Sequence, residues 1–173
     1  PLGYTNAFAA ALERQESGTR DRSISVVFRG NRGVATRIAG TDAARRMGDS
    51  CINFVEDQTW SGAENQGDVY VEELLHSRFA LVPPGFVNGE TFRYYEAVQC
   101  GALPIEVEVA LTHQGAVPFR SPATIRARSW REALSIAAHM PEDERVSRVA
   151  VAQASVKECF ARARTQLLQS MEG

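Results

Sequence analysis

Short apolar runs of strand length alternate along the chain with longer segments of helical period. Ile24-Ser25-Val26-Val27-Phe28 is a β-branched, aromatic run that stops at Arg29-Gly30 and predicts a first strand. Thr36 to Met47 reads as helix, and Cys51-Ile52-Asn53-Phe54-Val55 as a second strand. Gln58 to Asp68 is polar and contains Gly, which predicts a loop. A short helix is expected over Tyr70 to His76, with Val71, Leu74 and Leu75 on one side. Phe79-Ala80-Leu81-Val82 is a third strand, ended by Pro83-Pro84-Gly85. Thr91 to Cys100 has Phe92, Tyr95 and Val98 at helical spacing and Gly101 as its stop. Leu103 to Val107 and Thr124 to Ala127 supply two more strands, and Ser129 to His139 and Pro141 to Leu168 two closing helices. Before the first strand, a short helix around Phe8 and Leu12 turns polar through Gln15 to Arg22. Residues 1–23 therefore read as helix and connector, and 24–173 as the domain proper.

Strands alternating with helices mean βαβ units, hence an α/β fold with a parallel sheet flanked by helices. Such sheets bind ligands beyond the carboxyl ends of their strands. The places to look are the loops after Phe28, Val82 and Ile105.

Composition narrows the classes. The chain has 173 residues, one domain's length, with 44% hydrophobic and 23% charged residues, which is ordinary for a globular chain. Its net charge of −2 argues against a dedicated nucleic-acid binder. All basic residues except Lys157 are arginine, the better bidentate phosphate ligand. Cys51, Cys100 and Cys159 form no CxxC pair and His76, His113 and His139 no HxxxH, so no metal site is expected. A Cys51–Cys100 bridge stays open, with nothing to support it. No apolar run reaches membrane-spanning length, and there is no signal peptide. A chain beginning at Pro1 looks trimmed.

Two loops carry candidate chemistry. Phe28-Arg29-Gly30-Asn31-Arg32-Gly33, with Arg37 beyond, ends a strand in a Gly-rich turn that opens a helix and offers N–H groups and positive charge to a phosphate. It is neither GxGxxG nor a Walker A loop. In the second, the Pro83–Gly85 turn leads through a loop to a helix N-terminus at Thr91. Arg93 sits in the first turn and Glu96 three residues on, along the same face. Arg93 can hold a diphosphate there while Glu96 accepts hydrogen bonds from a ribose diol. The same spacing also fits a plain surface ion pair worth about 0.3–0.5 kcal/mol.

The runs Ser77-Arg78-Phe79-Ala80-Leu81-Val82-Pro83-Pro84-Gly85 and Thr91-Phe92-Arg93-Tyr94-Tyr95-Glu96-Ala97, continued through Gly101-Ala102-Leu103-Pro104-Ile105, resemble the signature of exostosin-type glycosyltransferases. Phe28-Arg29-Gly30-Asn31-Arg32 resembles an earlier element of that family and Val117-Pro118-Phe119 a later one, all in family order. The resemblance implies the C-terminal, Rossmann-like half of a GT-B enzyme binding a nucleotide-sugar, usually a UDP-sugar, for inverting transfer to a glycan acceptor. Arg93 would meet the diphosphate and Glu96 the ribose. Thr91, Phe92 and the Pro83–Gly85 turn would shape the pocket, and Arg29 and Arg32 would approach from the first strand. No metal or other cofactor is implied, and the chain lacks a DxD triplet. Ala80 and Ala102-Leu103 depart from the family's usual residues, as does the acidic stretch Glu106-Val107-Glu108. His113 lies in an insertion near the expected sugar.

A GT-B enzyme closes two such halves over its reactants, and the acceptor site and general base come largely from the other one. The partner implied is therefore an N-terminal half or a partner subunit, and catalytic residues are not assigned. The resemblance suggests the Golgi lumen for a eukaryotic protein and the cytoplasm for a bacterial one. Three alternatives stand beside this reading: a non-catalytic exostosin-like partner domain, an RNA-binding module using Gly30-Asn31-Arg32-Gly33, and a fucosyltransferase-type half taking a GDP-sugar. Trp60 and Trp130 read as packing residues, and Arg126, Arg128 and Arg131 as a solvated basic cluster. Val146, Val149, Val156, Phe160 and Leu167 are expected to lay the last helix along the domain.

Overall fold

Val26, Val27 and Phe28 are each about 1% exposed, so the first strand is covered on both faces, as a parallel strand must be. The structure, a computed structural model, describes residues 6–15, 20–30, 35–47, 54–57, 66–84, 91–108 and 121–172. Helix α1 (Asn6–Glu13) precedes β1 (Ile24–Arg29), α2 (Ala35–Met47), β2 (Phe54–Asp57), α3 (Gln66–Leu75) and β3 (Ser77–Leu81). Then come α4 (Phe92–Gln99), β4 (Leu103–Val107), β5 (Ile125–Ala127), α5 (Trp130–His139) and α6 (Glu142–Glu172). The five strands form one parallel sheet in the order β2-β1-β3-β4-β5. Val26 is in register with Phe54 on one side and Phe79 on the other.

Alternation along the strands divides the core into two layers. Val26, Phe28, Phe79, Leu81, Leu103 and Ile105 face α2 and α5. Val27 and Ala80 face the other way, onto Phe8 and Ala11 of α1, Tyr70, Val71 and Leu74 of α3, and Ala97 and Cys100 of α4. Helix α6 covers the far end of that second face, where Ala152 and Val156 meet Tyr94, Tyr95 and Val98. Trp130 lies in the first layer as a packing residue.

The element boundaries differ from the sequence expectation in three places. Helix α3 begins at Gln66, inside the expected loop, because its first turn docks on α1: Gly67 lies against Ala7 and Ala11, and Asp68 pairs with Arg14 at 2.8 Å. Strand β2 lies later than expected, and β3 starts at Ser77, in register with Ile24. Helix α6 outruns the domain: 31 residues span about 46 Å against about 12 Å for the eight of α4. Val156 is buried and Val149 and Phe160 partly so, but Val146 and Leu167 are 52% and 62% exposed and do not pack as expected. Cys51, Trp60, His113 and Val117–Phe119 lie outside the described residues. Cys100 is free and buried, and burial pushes its thiol pKa up to about 12. No helix among the described residues is long and apolar enough to cross a membrane.

The C-terminus of α4 is fixed with particular care. Gly101, at φ +73°, closes a Schellman turn in which Ala102 N–H reaches the Ala97 carbonyl and Gly101 N–H that of Val98. The remaining carbonyls meet arginines: Arg22 donates to Cys100 at 2.8 Å and also to Ser77 and Leu74, and Arg145 donates to Gly101 at 3.1 Å. Burial, and next the neighbouring Arg145 charge, lower the pKa of Arg22. Glu142 accepts from both Arg145 and Arg78, which holds its carboxyl below the usual range.

Two outcomes follow from this arrangement. Arg22→Ala strips three carbonyls of their donor and lowers the unfolding free energy by about 1.5–3 kcal/mol in urea titration. Glu142→Gln destabilises at neutral pH. Because the native carboxyl titrates below its unfolded value of about 4.3, its contribution is full above that pH and fades as the pH falls through the native pKa. The wild-type and variant stability curves therefore converge in acid.

Candidate functional site

Strand β1 sends its chain through α2 to β2 on one side, and its neighbour β3 sends its chain through α4 to β4 on the other. The two connections part between β1 and β3, and a crevice opens there at the carboxyl edge. In open α/β sheets this switch point is the ligand position. Its walls are the end of β1 at Arg29–Gly30, the first turn of α2, the end of β3 at Val82–Pro83, and the N-terminus of α4.

Arg93, in the first turn of α4, reaches back across this crevice. Its Nε donates to the Arg29 carbonyl at 2.9 Å, and its guanidinium lies over the Phe28 ring, 5.4 Å from the centroid. That path needs Gly30. The backbone there has φ +144°, and a Cβ would stand 2.0 Å from an Arg93 terminal nitrogen. The Arg29 side chain turns the other way. It is 4% exposed and closes a two-pronged ion pair with Glu73 of α3, at 2.9 and 2.8 Å. Arg29 therefore enters the site through its carbonyl, which holds Arg93, while its charge is matched beneath.

The first turn of α2 brings a second guanidinium close to Arg93. Arg37 is less basic than an ordinary arginine, chiefly through burial and next through the Arg93 charge. Thr36 and Thr91 each hold a buried hydroxyl with no hydrogen-bond partner among the described residues. Thr91 is the N-cap of α4 and 6% exposed, yet its side chain makes no capping bond. An N-cap threonine ordinarily accepts from the helix N–H groups. Here the buried hydroxyl has no such bond, and it lies at the positive end of α4.

One turn into α4, Glu96 is 4% exposed. It accepts a hydrogen bond from the Tyr70 hydroxyl of α3. Burial, and then the Glu96 charge, push the Tyr70 pKa well above its ordinary value, while the Arg93 charge pulls against them. A buried carboxylate is stable only when hydrogen-bonded or near positive charge, and Glu96 has both.

Of the residues singled out in the sequence, Thr91, Arg93 and Glu96 share the N-terminal part of α4 beside this crevice, whereas the Arg29 side chain, expected to approach from the first strand, turns away to Glu73. Pro83 is buried at the end of β3, and Phe92 is 40% exposed on the outside of α4. Arg32 and Gly85 lie outside the described residues. Tyr70 and Glu73 were missed because their helix carries no motif and meets the site only through tertiary contacts. Arg37 was noted only as an extra arginine beyond the first turn. No three His, Cys, Asp or Glu side chains converge as a metal set among the described residues. Chemically, the crevice brings together two guanidiniums, a threonine hydroxyl with no partner among the described residues, a helix N-terminus suited to an anion, and a carboxylate suited to hydroxyl donors.

Gly30→Ala tests the backbone path. The positive φ costs about 1–3 kcal/mol for a residue with a Cβ. Arg93 must also move, so the loss measured by thermal unfolding is larger in the wild-type background than in Arg93→Ala.

The comparisons with known proteins point the same way. The structure matches that of an α,α-trehalose-phosphate synthase (UDP-forming) from Burkholderia xenovorans, a GT-B glycosyltransferase solved in complex with glucose-6-phosphate. The TM-score is 0.54 at 15% identity, over 96% of this chain. That identity establishes the fold alone, and the chain spans 39% of the length of that enzyme. No curated protein sequence matches the chain. The model of the RXYLT1 C-terminal domain matches residues 36–127, more than half of the sequence, and includes Arg37, Tyr70, Thr91, Arg93 and Glu96. The chain thus belongs to the RXYLT1 C-terminal domain family, an exostosin-like family, and carries a Rossmann-like, GT-B-type glycosyltransferase fold.

Proposed function

We propose that this domain is the donor-binding half of a glycosyltransferase, taking a nucleotide-sugar at the β1/β3 crevice for transfer to a glycan acceptor. The observation that carries the reading is the pair Arg37 and Arg93. The Arg93 charge lowers the pKa of Arg37, and both lie beside the N-terminus of α4, where the Thr91 hydroxyl has no partner among the described residues. Positive charge gathered in this way matches a diphosphate, which guanidinium groups bind by charge-assisted hydrogen bonds. The dipole of α4, positive at this end, adds to the same attraction. Glu96, deeper on the same helix face, suits the ribose diol.

In transfer, the bond between the sugar and the diphosphate breaks and negative charge grows on the departing phosphate. Arg37, Arg93 and the α4 N-terminus are fixed where that charge develops, which is the form of stabilisation that contributes most to many enzymes. The acceptor and its base belong to a second half that closes over this one. Uridine is the base we favour, on the exostosin resemblance and the UDP-forming neighbour.

Calorimetric titration of UDP, GDP and their sugars into the domain tests the reading. Saturable binding is expected, weakened about tenfold or more (~1.4 kcal/mol) by Arg93→Ala, Arg37→Ala or Glu96→Ala. Absence of binding to the folded domain, both alone and within the full-length protein, would overturn it.

A further inference from the structure

Helix α3 supports both Arg93 and Glu96 from behind the crevice. Glu73 holds Arg29, whose carbonyl holds Arg93. Three residues earlier, hence on the same helix face, Tyr70 donates its hydroxyl to Glu96. We propose that Tyr70 is a positioning residue for sugar recognition: it fixes the Glu96 carboxylate so that its remaining lone pairs meet the two ribose hydroxyls. The inference rests on the donor-site reading above and adds to it the residue that gives the site its preference for a ribose.

The physical case begins with burial. Tyr70 is 5% exposed and packs edge-on against Phe8, with ring centroids 6.3 Å apart. A phenol in that position needs a partner for its O–H, and Glu96 is the partner it has. With burial and the Glu96 charge both raising its pKa, Tyr70 remains protonated at all working pH values and acts only as a donor. A carboxylate accepts about four hydrogen bonds. One from Tyr70 fixes its plane. Without that bond the carboxylate can turn toward the Arg93 charge, and the geometry for two adjacent hydroxyls is lost. Arg93 keeps its own supports, the Arg29 carbonyl and the Phe28 ring, whether or not Tyr70 has its hydroxyl. Diol recognition and diphosphate recognition are therefore separable, and Tyr70 affects only the first.

Tyr70→Phe removes the hydroxyl and keeps the ring in place. The ligands are a nucleoside diphosphate (UDP, or GDP if that binds better), its 2′,3′-dideoxy analogue and inorganic pyrophosphate, each titrated calorimetrically into wild type, Tyr70→Phe and Glu96→Gln. Wild type is expected to favour the ribose form over the dideoxy form, and Tyr70→Phe to reduce that preference by about fivefold. Glu96→Gln should reduce it at least as much. Affinity for pyrophosphate should be unchanged in Tyr70→Phe, which also shows that this variant is folded. A Tyr70→Phe variant that keeps the full preference while Glu96→Gln loses it would overturn the role of Tyr70 and leave the donor site standing. A variant that loses pyrophosphate affinity in equal measure would reduce Tyr70 to a general structural part. Wild-type protein that binds no nucleoside diphosphate, or prefers the dideoxy form, would sink the donor-site reading and this inference with it.

Discussion

Like charges repel, and the carboxyl edge of this sheet is organised around two that are kept together. Arg93 crosses from α4 to β1 to lie over Phe28, and Arg37 comes to it from the first turn of α2. Their approach depends on small structural details. Gly30 has no Cβ in the path, the Arg29 carbonyl takes the Arg93 Nε, and Glu73 withdraws the Arg29 charge into a buried pair. The fold thus turns the Arg29 charge beneath the sheet edge, onto Glu73, and gathers Arg37 and Arg93 above it.

The amino edge of the same sheet makes the contrast clear. A groove of about 620 Å³ there is lined by Arg20, Arg22, Arg78 and Arg145 with Asp21 and Glu142, and by charge alone it resembles an anion site. Its arginines are engaged, however. Arg22 and Arg145 hold the carbonyls that end α4, and Arg78 and Arg145 share Glu142. Helix α4 therefore runs from an uncapped positive end at Thr91 to a heavily capped negative end at Gly101. The capped end anchors the helix, so that the open end can meet a charged ligand without shifting.

What could be read from the sequence was what is local. The helix from Thr91 to Cys100, its glycine stop, and the shared face of Arg93 and Glu96 follow from spacing of one to ten residues, and they are found where expected. The alternation of strands and helices gave the parallel sheet, and with it the rule that led to the crevice. What depends on partners far apart in the chain was hidden. Arg29 looked like a phosphate ligand because its own partner, Glu73, stands 44 residues away. Tyr70 lies 26 residues before the carboxylate it supports, on a helix whose polar first turn looked like loop. Val146 and Leu167 followed the helical period, but period alone does not tell where the surface to be covered ends.

The central claim is one of place: that the domain meets its ligand at the β1/β3 crevice and nowhere else. Amide chemical-shift mapping during titration with UDP addresses it most directly. The account predicts saturable shifts concentrated at the end of β1, the first turns of α2 and α4, and Tyr70 and Glu73 behind them, with the amino edge around Arg22, Arg78 and Arg145 unchanged. Shifts centred on that amino-edge groove, or spread without focus over the surface, would contradict it.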